Sequence, residues 1–186
     1  FYAEEHQIAK DGCAHEGFIA SRQGLPMIPA LAETVAIAKY LLIIEATKVR
    51  AHFGLLSCGA SVELIKIAKD KGLPVTADVA MHQLHLTESL TDGFNSLAHV
   101  RPPLRAEKDK LLLRQGVKDG VIDAICTHHE PLSSSAKLAP FAETQPGMTA
   151  FDTYVAFGIQ LINEGLFEPL EWVEKVTLAP SKVANM

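Results

Sequence analysis

Long apolar runs, paired cysteines and clustered basic residues are what this sequence lacks. The longest apolar stretch is YLLII at 40–44, far short of the roughly 20 residues that a membrane span requires. Cys13, Cys58 and Cys126 have no close spacing, which argues against a disulfide framework and against a cysteine-based zinc site. The 17 Lys and Arg residues are scattered and the net charge is −5, so we expect no nucleic-acid or membrane partner. A cytoplasmic protein fits best.

A glycine-rich phosphate-binding turn is also missing, since no GxGxxG follows any apolar segment. What the sequence does have is 48% hydrophobic and 21% charged residues over 186 positions, which is enough for one sizeable core. We therefore expect one domain. The chain opens on FYAEEHQ, without the charged leader of a secretory signal, and this fits an internal piece of a longer chain.

Strand and helix patterns alternate along the chain. Residues 28–48 carry apolar side chains at helical spacing with no Gly or Pro after Pro29, which predicts a long helix. The same patterns predict strands at 49–57, 73–86 and 121–128, and helices at 59–72, 106–120, 148–165 and 169–178. Because parallel strands need crossover helices, this alternation predicts an α/β fold with a parallel sheet.

The position of the histidines decides between two α/β architectures. A doubly wound sheet and a (β/α)8 TIM-type barrel share the same local pattern, and the missing glycine motif removes the main reason to prefer the first. His82, His128 and His129 stand at the C-terminal ends of predicted strands, which is where a barrel builds its active site. We therefore predict a (β/α)8 barrel. Because a complete one usually takes about 250 residues, the chain is a partial barrel.

Six short motifs extend this interpretation, and they are FYAEEH, AHFGLLS, VAMHQLHLT, VRPPLR, DAICTHHEP and PFAETQPGM. Their order and approximate spacing resemble the dihydroorotase branch of the cyclic amidohydrolases over nearly the whole chain. The resemblance implies an amidohydrolase barrel with one or two zinc ions at its strand ends. It implies reversible closure of carbamoyl aspartate to dihydroorotate, in de novo pyrimidine biosynthesis. Residues 1–186 would then be the C-terminal portion of one barrel domain, about strands 4 to 8, and the HxH metal motif would precede Phe1.

The resemblance also assigns roles to residues of the predicted strand ends. His82 takes the place of a metal-binding histidine, whereas Leu55 stands where the family has another one. His128 occupies the position of the aspartate that acts as general base. Leucine cannot bind zinc, and a neutral imidazole in place of a carboxylate would compete for the ion instead of taking a proton beside it. Loss of a general base alone typically lowers the rate by about 10²- to 10⁴-fold.

Three more residues are candidates for substrate binding by the same resemblance. Arg101 matches an asparagine that contacts substrate, Arg105 matches an arginine suited to a carboxylate, and His129 would lie in the site cavity. A guanidinium donates two parallel hydrogen bonds to a carboxylate, which gives Arg105 its candidate role. The alternative to substrate binding is a structural role. Each arginine would then form an ordinary salt bridge, and His129 would be a strand-end histidine that is hydrogen-bonded in the core.

Three functions remain open at this point. The first is a catalytically silent homologue without zinc, resembling the non-catalytic family members that support assembly of aspartate transcarbamoylase. The second is an active zinc-dependent dihydroorotase, in which His82 and His128 complete an altered one-metal site. Leu55, His128 and Leu132 favour the first. The third is a hydrolase of another cyclic amide, such as a hydantoin or allantoin, because a fold does not determine its substrate. We expect an oligomer.

Overall fold

The computed structural model describes residues 1–186. The strands are β1 (Ala14–His15), β2 (Met27–Ile28), β3 (Ala51–Phe53), β4 (Val75–Ala80) and β5 (Ala124–Cys126). The α-helices are α1 (His6–Ala9), α2 (Phe18–Gln23), α3 (Ala30–Thr47), α4 (Gly59–Asp70), α5 (Glu107–Lys118), α6 (Phe151–Asn163), α7 (Pro169–Val176) and α8 (Leu178–Val183). Short 3-10 turns lie at Met81–Leu84, Glu88–Phe94, Ser96–Ala98, Ser134–Lys137 and Phe141–Glu143.

All strand pairs are parallel. β3, β4 and β5 form one sheet in that order, and β1 pairs with β2 in a second small sheet. An isolated bridge between Tyr2 and Gly54 extends the three-stranded sheet on the β3 side. Since α4 joins β3 to β4 and α5 joins β4 to β5, each crossover contains a helix, as parallel pairing requires. The predicted α/β class with a parallel sheet is confirmed.

The long predicted helices are confirmed, and the predicted strands are shorter than expected. The 28–48 pattern forms α3, and the helical patterns that follow form α4 to α7. The strand pattern at 73–86 is divided into β4 and the 3-10 turn that begins at Met81. The residues of this turn are still buried, so the apolar pattern of the strand continues through it. The sequence pattern therefore cannot show where the hydrogen-bonded strand ends. The short elements α1, α2, β1, β2 and α8 were not predicted.

The core lies between the three-stranded sheet and the helices. On β4, Val75, Ala77 and Val79 are buried in the main cluster of 23 residues, together with Phe53 of β3. Thr76 and Asp78 alternate with them and are only partly buried. Because side chains alternate across a strand, the sheet has an apolar face against the helices and a second face that carries polar groups. None of the helices combines the length and the apolar character that crossing a bilayer would take.

Gly158 of α6 lets the ring of Trp172 pack directly on the helix backbone. A Cβ built at Gly158 would lie 2.2 Å from Cε2 of Trp172. We expect Gly158→Ala to lower the free energy of unfolding by about 1–3 kcal/mol, because the indole must move out of a packed site. Urea denaturation measures this effect. The exposed Ala156→Leu on the same helix is the control and should change stability by less than about 0.5 kcal/mol; equal effects would contradict the packing explanation.

Candidate functional site

Three neighbouring strands end at the same edge of the sheet. Two residues beyond the end of β3 lies Leu55, two beyond β4 lies His82, and two beyond β5 lies His128. The carboxyl ends of adjacent parallel strands meet at one edge, which is the active-site edge of barrel enzymes. The edge formed by these elements therefore carries a leucine and two histidines at equivalent positions.

The two histidines are in contact. The rings of His82 and His128 stack with centroids 5.4 Å apart. His82 is 1% exposed and neither of its ring nitrogens has a hydrogen-bond partner; Nδ1 of His128 has none either. Burial and, to a smaller extent, the neighbouring His128 together lower the pKa of His82 to about 3. His82 is thus a neutral imidazole whose two polar atoms are unsatisfied, a state that buried polar groups rarely adopt.

The backbone at this edge is unusual at two of the three positions. Leu55 has φ +62° and His128 has φ +47°, both in the left-handed region that non-glycine residues seldom occupy. The N–H of Leu55 donates to Oδ1 of Asp78 at 2.8 Å, which supports this conformation. Such strain concentrates at active sites and ligand clamps. The strand ends therefore have the backbone features of a functional site.

A second polar group occupies the sheet face that β3 and β4 share. Nε2 of His52 and Oδ2 of Asp78 are 2.8 Å apart, and Nδ1 of His52 is 2.8 Å from Oγ1 of Thr76. Burial tends to raise the pKa of Asp78, but the hydrogen bonds from His52 and Leu55 hold it below its ordinary value. This chain of contacts was not predicted from the sequence. The sequence feature that could have indicated these contacts is the alternation of the polar residues Thr76 and Asp78 with apolar residues along β4.

Arg105 lies inside the protein and is 3% exposed. Its Nε donates to Oγ of Ser57 at 3.0 Å, and its Nη1 donates to the carbonyl of Ile28 at 2.7 Å and lies 3.2 Å from Nδ1 of His15. The carboxylate of Glu33 is 4.0 Å away and accepts hydrogen bonds from the N–H and the hydroxyl of Ser57. The guanidinium that was predicted to hold a substrate carboxylate therefore contacts a buried protein carboxylate and the groups around it.

Arg101 and His129 also make contacts within the protein. Arg101 holds Glu4 through Nε, 3.1 Å from both carboxylate oxygens, and this partner raises the pKa of the guanidinium. Nδ1 of His129 accepts the backbone N–H groups of Ala150 and Phe151 at 3.1 and 3.0 Å. None of the hydrogen bonds of Arg101, Arg105 or His129 involves the His82–His128 pair. Their substrate-binding roles stay predictions.

The contact made by His129 lies at the start of α6 and acts as a cap. We expect His129→Ala to lower the free energy of unfolding by about 1 kcal/mol, because two N–H groups at the helix start lose their acceptor. Thermal unfolding of the two proteins measures the difference. His129→Asn, whose side-chain oxygen is also an acceptor, should retain part of the stability. A loss as large as that of the alanine variant would show that the cap is not the cause.

The residues at the strand ends do not by themselves fit the zinc site of the amidohydrolases. Zinc takes three or four N, O or S ligands, with one position open to water in catalytic sites. His82 and His128 supply two imidazoles with unsatisfied nitrogens, but Leu55 occupies the third strand end. No group of three His, Cys, Asp or Glu side chains in this chain is arranged to hold a metal ion. This chain alone does not complete the ligand set.

Comparison with known sequences gives related proteins over the full chain. A "dihydroorotase-like protein" of Pseudomonas putida is 44% identical over 97% of this chain, and one of Pseudomonas aeruginosa is 42% identical over 100%. A "dihydroorotase" of Desulfotalea psychrophila is 34% identical over 100% of the chain. The chain spans only 43–44% of the length of these curated relatives. No protein-family model matches it.

Solved structures with a similar fold include a hydantoinase and a dihydropyrimidinase. An L-hydantoinase from Arthrobacter aurescens superimposes with a TM-score of 0.81 over 99% of this chain and 42% of its own, at 21% identity. A dihydropyrimidinase from Brevibacillus agri gives a TM-score of 0.78 over 98% of this chain and 41% of its own, at 19% identity. At these identities the likeness concerns the fold alone. It supports the predicted amidohydrolase type of barrel, of which this chain forms a part.

Proposed function

Since this chain belongs to the dihydroorotase family, we propose that its protein is a catalytically silent, dihydroorotase-like member of de novo pyrimidine biosynthesis. We propose further that it supports the assembly of aspartate transcarbamoylase. The chain covers less than half the length of its curated relatives, so this proposal concerns the whole protein of which the 186 residues form a part.

The observation that carries the proposal is the composition of the strand ends. By the family resemblance, Leu55 stands where dihydroorotases have a histidine, and His128 stands where they have an aspartate. Zinc hydrolysis needs both a filled ligand set and a base within hydrogen-bond reach of the attacking water. Leu55 can supply neither of these. His128 stacks on His82 in place of the carboxylate that would take the proton. The two substitutions together weaken metal binding and proton transfer.

The names of the relatives also support the proposal of catalytic silence. The two Pseudomonas proteins, at 44% and 42% identity, are called dihydroorotase-like, whereas the protein at 34% identity is called a dihydroorotase. The name dihydroorotase-like does not assert the dihydroorotase activity, and this fits a homologue with altered strand ends. The role in transcarbamoylase assembly rests on the family resemblance, and no contact within this chain argues for or against it.

A second candidate function is an active zinc-dependent dihydroorotase. The observation in its favour is the unsatisfied pair of ring nitrogens on His82, since a buried neutral imidazole is the form that binds metal. The remaining ligands would then come from outside these 186 residues. Zinc content separates the two functions: the active form requires stoichiometric zinc that is lost in His82→Ala, and the silent form does not.

The assembly role is tested by expressing the tagged full-length protein together with aspartate transcarbamoylase from the same organism. We expect the two proteins to copurify, and transcarbamoylase made without its companion to have a smaller assembly size and lower activity. A matched control is the His82→Ala protein: the proposal separates assembly from the strand ends, so this variant should copurify as well as the wild type. Transcarbamoylase of unchanged size and activity without its companion would contradict the proposal.

A further inference from the structure

A long groove runs between α4 and α5, away from the strand ends. Its volume is about 840 Å³, which lies within the range of about 300–1,000 Å³ that is usual for ligand-binding clefts. The two helices form its sides, and β1 and the segment around Glu88 close one end. Leu55, His82 and His128 do not line it. The groove is therefore separate from the candidate site described above.

The side chains that line the groove are mostly acidic. Carboxylates outnumber ammonium groups by five to two. The carboxylates belong to Glu16, Glu63, Glu88, Asp109 and Asp119, and the ammonium groups belong to Lys66 and Lys108. A cleft that is lined by an excess of one charge concentrates the electric field within it. The groove therefore attracts cations more strongly than a flat surface with the same charges would.

Asp109 distinguishes this groove from an ordinary solvated acidic surface. It is only 6% exposed. Its Oδ1 accepts the N–H of Gly59 at 3.0 Å, but Oδ2 makes no hydrogen bond and the carboxylate forms no ion pair within the chain. Buried carboxylates are rarely left in this state. Burial and, after it, the charge of Asp109 raise the pKa of Glu88. A cation bound in the groove would therefore stabilise both carboxylates.

His15 adds a hydrogen-bond donor at the same end of the groove. It is 8% exposed, and burial followed by the charge of Arg105 lowers its pKa to about 4, so the ring is neutral at pH 7. Nη1 of Arg105 lies 3.2 Å from Nδ1 of His15. A guanidinium can only donate, so Nδ1 is the acceptor and the ring proton is on Nε2. That nitrogen has no hydrogen-bond partner in the chain, and the residue lines the groove.

We propose that the groove binds an extended basic segment of a partner protein. Arginine or lysine side chains of the segment lie against the carboxylates, and one of its backbone carbonyls accepts the Nε2–H of His15. A peptide supplies both groups, whereas a simple polyamine supplies cations but no acceptor for His15. The proposal does not depend on whether the strand ends are catalytic.

The length of the groove suits such a segment. Asp109 and Asp119 both line it and are ten positions apart, which is about 15 Å along a helix. In an extended peptide, alternate side chains lie on the same side, about 6.6 Å apart. Three basic residues at alternate positions therefore cover about 13 Å. The small residues Gly59, Ala60 and Gly116 between the carboxylates leave room for the peptide backbone.

The test is fluorescence anisotropy with the full-length protein and a labelled peptide. The probe is a capped peptide of about seven residues with arginine at alternate positions and serine between them. A second probe has glutamine in place of each arginine. We expect a dissociation constant at least about ten-fold lower for the arginine probe at low salt, and a smaller difference at high salt because the attraction is screened.

Three variants of the protein locate the binding. Asp109→Asn keeps an oxygen for the N–H of Gly59 but removes the buried charge, and should weaken binding at least about ten-fold. Glu63→Lys reverses an exposed charge in the groove and should weaken binding about five-fold. The matched control is Asp70→Lys, the same charge reversal at an exposed position of α4 outside the groove, which should change binding by less than about two-fold.

Three results would overturn the proposal. Equal binding of the two probes would show that the carboxylates do not hold the arginines. Equal effects of Glu63→Lys and Asp70→Lys, or unchanged binding by a folded Asp109→Asn protein, would show attraction by the net charge of the protein and not by the groove. Free arginine that binds as tightly as the peptide would indicate a small-molecule site instead of a surface for a protein segment.

Discussion

Lowering the pH from about 7.5 to about 5 is expected to reduce the free energy of unfolding by several kcal/mol. The reason is that burial lowers the pKa of each of His15, His85 and His99 to about 4 and that of His82 to about 3. In the unfolded chain these groups return to about 6.5. Between the two values the unfolded chain binds protons that the folded chain does not. The contribution of these neutral histidines to the free energy of unfolding is therefore fully present above about pH 6.5 and is lost as the pH falls toward 4.

Urea denaturation at several pH values measures this loss, and His99→Gln provides the control. Nδ1 of His99 is 2.7 Å from Oγ1 of Thr144, and a glutamine amide can hydrogen-bond to the same hydroxyl without titrating. The variant should lose about 2 kcal/mol less than the wild type over the same range, since each histidine contributes about that amount at pH 5. Equal stability of the wild type at both pH values would contradict the account of these buried histidines.

Replacing Arg105 with methionine is expected to lower the free energy of unfolding by about 3–5 kcal/mol. Arg105 is 3% exposed and donates to Ser57 and to the carbonyl of Ile28. Methionine has a similar length but no donor, so the Ile28 carbonyl loses its partner and the buried carboxylate of Glu33 loses its nearby positive charge. A loss of this size corresponds to a clear fall in the urea midpoint, which can be measured without any assay of activity.

Arg22→Met is the matched control for this experiment. Arg22 pairs with Asp92, but the two side chains are 49% and 51% exposed, and exposed pairs contribute about 0–1 kcal/mol. The control should therefore unfold close to the wild type. If Arg105→Met also unfolds like the wild type, the buried contacts of Arg105 do not stabilise the protein, and its predicted role in holding a substrate carboxylate gains weight.

The fold was largely predictable from the sequence because its long elements have strong periodicity. α3, α4 and α5 appear in the apolar pattern within about two residues of their bounds, and the alternation of strands and helices gives the parallel sheet. The short elements were not predictable. A strand of two residues such as β1 contains no period to detect, and its pairing with β2 depends on contacts between parts of the chain that are distant in sequence.

The sequence predicted which histidines lie at the strand ends. It did not predict that the side chain of Arg105 is buried inside the protein. The motif positions placed His82 and His128 at adjacent strand ends, and the structure brings their rings into contact. Nothing in VRPPLR indicates whether the guanidinium of Arg105 points toward a cavity or into the protein. That direction is set by Glu33 and Ser57, which are 72 and 48 residues away in sequence, and such long-range pairing has no local signal.

The measurement that tests the central claim most directly is turnover by the full-length protein. Dihydroorotate hydrolysis and carbamoyl aspartate cyclisation should both be followed, after treatment with a chelator and again after zinc is resupplied. The account predicts no turnover above the blank in either state, because the family resemblance places Leu55 and His128 at the positions of a metal ligand and of the general base. Turnover that zinc restores and that His82→Ala abolishes would contradict it and establish an active dihydroorotase.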